Sequence, residues 1–206
     1  KDTNTWTITY NLPSLWMDNA TYPVALDPIV QARSAIRSIE DVAVAEKNSD
    51  LDTFAYNVMY MRVGKDSYYG RMRSFVKFLE LPPLTSGDVV TYAALRLVTP
   101  ANTSTTSMVV SASKVTSSWN SHTNGTSMTW ATQPSISSIV EDYQTVTGQG
   151  TYYWDVTDIA RDWYQTGVNN GIALTAYNES TSDVKKFYSS DNDGSNPLPM
   201  LFVYHI

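Results

Sequence analysis

The sequence predicts an all-β fold: a β-sandwich, jelly-roll-like, with one short inserted helix. Three observations carry that expectation. Short runs of period-two alternation recur along the 206 residues, separated at regular spacing by Gly, Pro, Asn and Asp turn signals. A single stretch, beginning near Asp155, changes to helical period. The composition suits strands with hydroxyl-rich surfaces, for Ser and Thr are abundant and 14 Tyr lead an aromatic share of 12%.

The chain opens with Trp6, Ile8 and Tyr10 alternating as a strand. A turn at Asp18-Asn19 precedes a short strand over 22–26, which Pro23 and Pro28 suit to an edge position. Residues 1–35 are too few for a core of their own, so they are expected to pack on, or lead into, a domain spanning 36–206. In that domain Val42 and Val44 mark the first clear strand. Phe54, Tyr56, Val58 and Tyr60 line one face of the next, after an acidic loop over 46–52. A turn from Gly64 to Gly70 leads into a strong strand over 74–81, where Phe75 and Lys77 share one face and Val76 and Phe78 the other. Pro82-Pro83 ends it. Strands over 92–98, with Ala93, Leu95 and Leu97 inward, and over 108–112 follow. A loop from Trp119 to Pro134 turns at Asn124-Gly125, and 135–150 reads as an exposed, variable connection.

The helical stretch is the most informative. Tyr152 and Trp154 alternate as a strand, and Asp155 then stands where an N-cap belongs, with Asp158 as a capping-box-like partner. Val156, Ile159, Ala160 and Trp163 form one apolar stripe, and Gly167 follows as a C′ glycine. Asn169-Asn170-Gly171 turns the chain, and Ile172, Leu174 and Ala176 resume period two. Trp154 and Trp163 are expected in the core. A polar turn over 191–194 precedes the last strand, over 201–204.

Bulk properties exclude several classes of function. With 14 basic against 20 acidic residues the formal charge is −6, which disfavours duplex nucleic acid as a partner. Cysteine is absent, so neither a disulfide frame nor a thiolate metal site can form. No apolar run reaches the length of a membrane span, which argues against membrane insertion. The chain starts at Lys1 in polar, strand-like text without a signal peptide, as expected of one part of a larger exported polypeptide. A cysteine-free module of this size suits a bacterial cell surface or extracellular location.

The order of markers is itself distinctive: RSFVKFLELPP, DVVTYAALRLV, a Trp119 loop ending in MTWATQP, YYWDVTDIARDW, NNGIALTAY and FYSSDNDGSNPLPMLFVY. Over roughly residues 36–206 it resembles the DNRLRE-type domain, a β-sandwich related to carbohydrate-binding module family 96. WDVTDIARDW also resembles a helix in the propeptides of transforming-growth-factor-like proteins. The earlier run LWMDNATYPVALDPIV is similar to segments that precede such domains in bacterial RHS or YD-repeat and wall-associated proteins. These resemblances imply an exported bacterial surface protein and a non-catalytic module that binds polysaccharide or cell-envelope glycan. A purely structural spacer of an RHS-type or adhesin body is the alternative, and a jelly-roll polysaccharide lyase or hydrolase a third. Trp119, Trp130, Trp154, Asp155, Trp163 and Gly171 read as signature residues of the frame.

Candidate sites are few. Tyr68, Tyr69, Arg71, Arg73 and Lys77 belong to the one basic stretch, which also holds Arg62 and Lys65. Guanidinium forks and tyrosine rings could hold an acidic sugar, but a solvated strand edge neutralising nearby acids carries more weight. Trp119 and Trp130 could stack on sugar rings, though packing against the sandwich is the preferred reading. Asp191 and Asp193, in an Asp-Asn-Asp-Gly turn, are weak candidates for structural calcium; no Glu follows at EF-hand distance, so an ordinary Asx turn is favoured and no cofactor is expected. Catalysis finds little support: His122 and His205 are far apart in sequence, no nucleophile elbow is present, and Asp155 and Asp158 are better used at a helix start. Lys77 could in principle form an internal isopeptide bond, although the sequence shows no partner for it.

Overall fold

Alternation along the strands sorts the side chains into two layers of antiparallel sheet. The computed structural model describes residues 30–32, 38–47, 59–123, 126–191 and 196–206. Among them, in chain order, are strands β1 (Val30–Ala32), β2 (Ile39–Ala45), β3 (Tyr60–Asp66), β4 (Gly70–Phe78), β5 (Val90–Thr99), β6 (Met108–Val115), β7 (His122–Thr123), β8 (Thr126–Ser127), β9 (Ile136–Val146) and β10 (Gly150–Asp155). Helix α1 (Thr157–Thr166) comes next, then β11 (Ile172–Ala176), β12 (Asp183–Tyr188) and β13 (Met200–His205). One sheet has the order β1-β13-β5-β10. The larger has the order β12-β3-β4-β11-β6-β9, with β2 paired to β4, and β7–β8 is a small separate ribbon. The described residues thus form an all-β sandwich with one short helix.

The inward faces meet in a main core that includes Val76 and Phe78 of β4, Leu95 and Leu97 of β5, and Ile172 and Leu174 of β11. Trp154, fully buried, donates its indole N–H to the Val110 carbonyl at 3.0 Å and meets Phe187 edge-on at 5.8 Å. Ile159, Ala160 and Trp163 bring the apolar stripe of α1 into the same core. Truncating a buried ring of this size costs about 3–5 kcal/mol. On the opposite face of the larger sheet Val42, Val44, Phe75 and Ala173 form a second cluster, closed by Trp119 and Met128. The two faces of β4 therefore divide as its alternation predicts, and both are covered.

Two expectations change. The stretch 135–150 holds β9, an eleven-residue strand, in place of a variable connection. It escapes sequence reading because it ends the order of its sheet and most of its side chains stay at least partly exposed, so no apolar alternation marks it. The start of α1 also differs. Val156, not Asp155, occupies the N-cap, with no side-chain cap of its own. Asp155 instead accepts the Thr157 N–H at 3.0 Å and its hydroxyl at 2.6 Å. The Asp158 and Ile159 N–H groups donate to Glu141 of β9, at 2.9 and 3.3 Å, while Asp158 pairs with Arg161. The cap is supplied from another strand, where local sequence cannot show it.

A register shift explains how Glu141 reaches the helix. Ala112 of β6 pairs with Asp142 of β9, but Ser113 pairs with Val140, so Glu141 is the extra residue of a β-bulge. Burial raises the Glu141 pKa, against the lowering effect of the two N–H groups it accepts. At the other end, Gly167 takes the left-handed conformation (φ 71°) and donates its N–H to the Trp163 carbonyl. The following turn needs Gly171 at φ 81°, where a Cβ would stand 2.4 Å from the Val76 carbonyl oxygen. The expected strand at Trp6, Ile8 and Tyr10, the segment over 22–26, and Phe54, Tyr56 and Val58 lie outside the described residues, as does Asn124-Gly125.

Two predictions follow from the frame. Gly171→Ala lowers the unfolding free energy by about 2 kcal/mol or more, since left-handed strain alone costs about 1–2 kcal/mol and the carbonyl contact adds to it. An unchanged urea midpoint would disprove the close approach. Asp41, buried on β2, accepts the Ser190 N–H at 2.7 Å, and burial pushes its carboxyl up to about 7. Between the ordinary value of 3.8 and about 7 the folded chain holds a proton that the unfolded chain has released. Stability from this group is therefore full on the acid side and lost as pH rises through about 7. Asp41→Asn keeps an acceptor and removes the titration, so its midpoint should fall less than that of the parent between pH ~5 and ~8. Equal declines would refute the assignment.

Candidate functional site

The outward positions of β4 read Arg71, Arg73, Phe75 and Lys77, a row of cations interrupted by one ring. Each cation meets an acid. Arg71 forks onto Glu46 (2.9 and 3.2 Å) and draws that carboxyl down to about 2. Arg73 forks onto Glu179 (2.6 and 2.8 Å) and reaches the Gln133 side-chain oxygen at 3.2 Å. Glu179 also stands 3.7 Å from Arg71. Lys77 pairs with Glu40 at 2.8 Å, opposite it in the β2–β4 register.

Aromatic rings then cover the row. Trp130 lies over Arg73 and Arg71, with cation-to-centroid distances of 4.6 and 5.0 Å. Trp119 lies over Lys77 at 4.5 Å, is only 7% exposed, and donates its indole N–H to the Asn170 carbonyl at 2.7 Å. Lys77 in turn donates to the Trp119 carbonyl at 2.7 Å. The Lys77 ammonium is thus held by the Glu40 carboxylate and the Trp119 carbonyl, the contacts of an ordinary ion pair.

Beyond Trp130 the same face opens into a groove of about 640 Å³ between β6, β9 and β11. Ser111 and Ser113 form its floor. They are 2% and 3% exposed. Thr175, Asn178 and the Arg73–Glu179 pair line one side. Tyr143 and Tyr177 line it too, edge-on to each other at 5.5 Å with an interplanar angle of 80°. Their exposures of 47% and 69% are high for large rings on a folded surface. The bulge at Glu141 lies two residues from Tyr143, where bulges commonly re-aim side chains. Such a groove offers ring faces and hydroxyls with its one cation already paired. That suits the apolar faces and hydroxyl edges of a sugar chain.

The residues singled out in the sequence are placed as follows. Tyr68 and Tyr69 sit at the β3–β4 turn as an edge-on pair (4.8 Å), with both their N–H groups on Asp66 Oδ1. Arg71, Arg73 and Lys77 share a face, and of these only Arg73 lines the groove. Trp154 and Trp163 are in the main core, Trp119 and Trp130 belong to the second cluster, and Gly171 makes the turn into β11. Asp155 and Asp158 serve the helix start, and Asp162 pairs with Lys114 at 2.5 Å. His205 pairs with Asp88 at 2.8 Å. Asp193 lies outside the described residues, and among those described no group of three or more His, Asp or Glu is placed to hold a metal ion. Sequence reading missed Tyr143, Tyr177, Ser111 and Ser113. The Ser-Ala-Ser alternation of β6 was a signal for the floor; nothing local signals Tyr143.

Compared with known families, residues 32–203, most of the chain, match the model of carbohydrate-binding module family 96. No curated protein matches the chain. Whatever fills the groove, its Arg73–Glu179 wall is also structural. Arg73→Met or Glu179→Gln should each lower stability by about 1–3 kcal/mol, between the ranges for exposed and buried pairs. The double variant should cost less than the sum, in a double-mutant cycle of urea unfolding. Additive losses would show that the pair does not act as one unit.

Proposed function

The chain belongs to carbohydrate-binding module family 96, and on that premise we propose that it is a non-catalytic module that holds a polysaccharide or cell-envelope glycan in the groove beside Tyr143 and Tyr177. One observation carries this siting: two exposed rings stand over a groove whose floor is two serines. The Ser111 and Ser113 hydroxyls at that floor can both donate to and accept from a sugar hydroxyl. Ring faces of Tyr stack on the apolar faces of pyranoses while their hydroxyls reach the sugar edge. The Arg73 fork is engaged by Glu179 and Gln133, which makes it a wall and hydrogen-bonding frame before it is a free cation.

The parent protein, in this reading, is an exported bacterial surface protein of RHS-type or adhesin character. The lack of cysteine and the hydroxyl-rich, lightly charged composition support that setting.

Affinity electrophoresis through gels containing neutral or acidic soluble polysaccharides tests the siting. Each ring contributes about 0.5–1.5 kcal/mol by stacking, so Tyr143→Ala with Tyr177→Ala should weaken retention about tenfold or more, without change in the unfolding midpoint. Retention that survives both replacements moves the site elsewhere. A parent chain that no polysaccharide retards overturns the binding reading itself, and release of new reducing ends would replace it with an enzyme.

A further inference from the structure

The outward face of the smaller sheet is unlike an ordinary solvated sheet face, whose positions are polar. On β5 the outward positions are Tyr92, Ala94, Arg96 and Val98. On β13 they are Met200, Phe202 and Tyr204, and on β10 Thr151, Tyr153 and Asp155. Register brings the rings together. Tyr92 pairs with Tyr204 directly across, at 5.6 Å between centroids. Phe202 and Tyr153 come from strands on either side of β5 and meet at 6.3 Å, near the small Ala94 that pairs with both Phe202 and Asp155. Tyr92 and Tyr153 are 40% and 48% exposed. Contiguous exposed apolar surface of this kind marks an interaction site.

Charge narrows the partner. Arg96 and Asp155 flank the rings with opposite signs, and both are engaged within the protein. Arg96 donates to the Leu198 carbonyl at 3.2 Å, and Asp155 accepts from Thr157. The face therefore presents rings and phenol hydroxyls with one charge of each sign and no net positive charge, in a chain whose formal net charge is −6. An anionic chain gains nothing there. A neutral one gains ring stacking and hydrogen bonds from its hydroxyls.

We infer that the outer face of the β1-β13-β5-β10 sheet is a second glycan-contact surface, for a neutral, extended polysaccharide that lays its pyranose faces on Tyr92, Tyr153, Phe202 and Tyr204. This rests on the carbohydrate-binding reading of the chain but not on the groove, which belongs to the other sheet. Two surfaces on opposite layers make the module bivalent, able to hold two chains or two segments of one.

Depletion of the full chain by suspended microcrystalline cellulose and by chitin tests it, with Tyr92→Ala/Tyr153→Ala and Tyr143→Ala/Tyr177→Ala compared. The parent should adsorb to at least one of them and the Tyr92/Tyr153 variant at least tenfold less, while all three keep the same unfolding midpoint and the same size by light scattering. In the parent chain, a soluble neutral oligosaccharide should slow nitration of Tyr92 and Tyr153, read by peptide mass spectrometry, which needs no variant to fold. Wild-type adsorption by the Tyr92/Tyr153 variant together with unprotected rings overturns the inference, as does failure of the parent to adsorb. A change in oligomeric size, or rings already protected without sugar, also overturns it, because a second copy or the chain's own residues 1–29 would then cover the face. Loss of adsorption in the groove variant alone leaves the groove reading standing and removes this one.

Discussion

Strand β4 is buried on both faces, and most of the architecture follows from that constraint. Val76 and Phe78 enter the main core, so Phe75, Arg71, Arg73 and Lys77 are set on the other side by the two-residue period alone. Arg73 and Lys77 are largely covered there and need neutralising, whereas Arg71, its side chain 38% exposed, makes a surface pair. Glu46, Glu179 and Glu40 neutralise them one for one, and Trp130 and Trp119 lie across the pairs. The loop carrying those tryptophans is drawn over this end of the sheet. Where its cover stops, the groove begins.

The bulge at Glu141 links that groove to the helix. By dropping one residue from the β6–β9 ladder it frees a carboxylate that caps two N–H groups at the start of α1. The same shift changes the path of β9 beside Ser113 and Tyr143. One irregularity thus anchors the helix that fills the core and shapes the wall of the candidate site. The helix does no chemistry in this scheme. It joins β10 of the smaller sheet to β11 of the larger one.

How legible this was in the sequence depends on where each partner lies. Alternation in Ala93, Leu95 and Leu97, the apolar stripe of Ile159, Ala160 and Trp163, and the glycines 167 and 171 are local signals, and they predicted the sandwich and its helix. The basic stretch drew notice as a candidate site because its cations are adjacent and their acids are not: Glu179 stands 106 residues from Arg73. Tyr143 was hidden because β9 lacks an apolar rhythm, and Glu141 because a bulge is a property of two strands, not one. Local text shows what a residue can do. Only the pairing shows what it is already doing.

The place of β13 has a consequence for how the chain must come together. The last strand lies inside its sheet, between β1 and β5, and not at an edge. Until residues 200–205 exist, the first strand described has no neighbour to pair with, and one side of β5 is open. The Asp41 carboxylate likewise waits for Ser190, 149 positions later. Contacts of such span make folding slow. Closure of the smaller sheet therefore waits on β13, the latest in chain order of the described strands, and every earlier strand of that sheet must be held until it arrives.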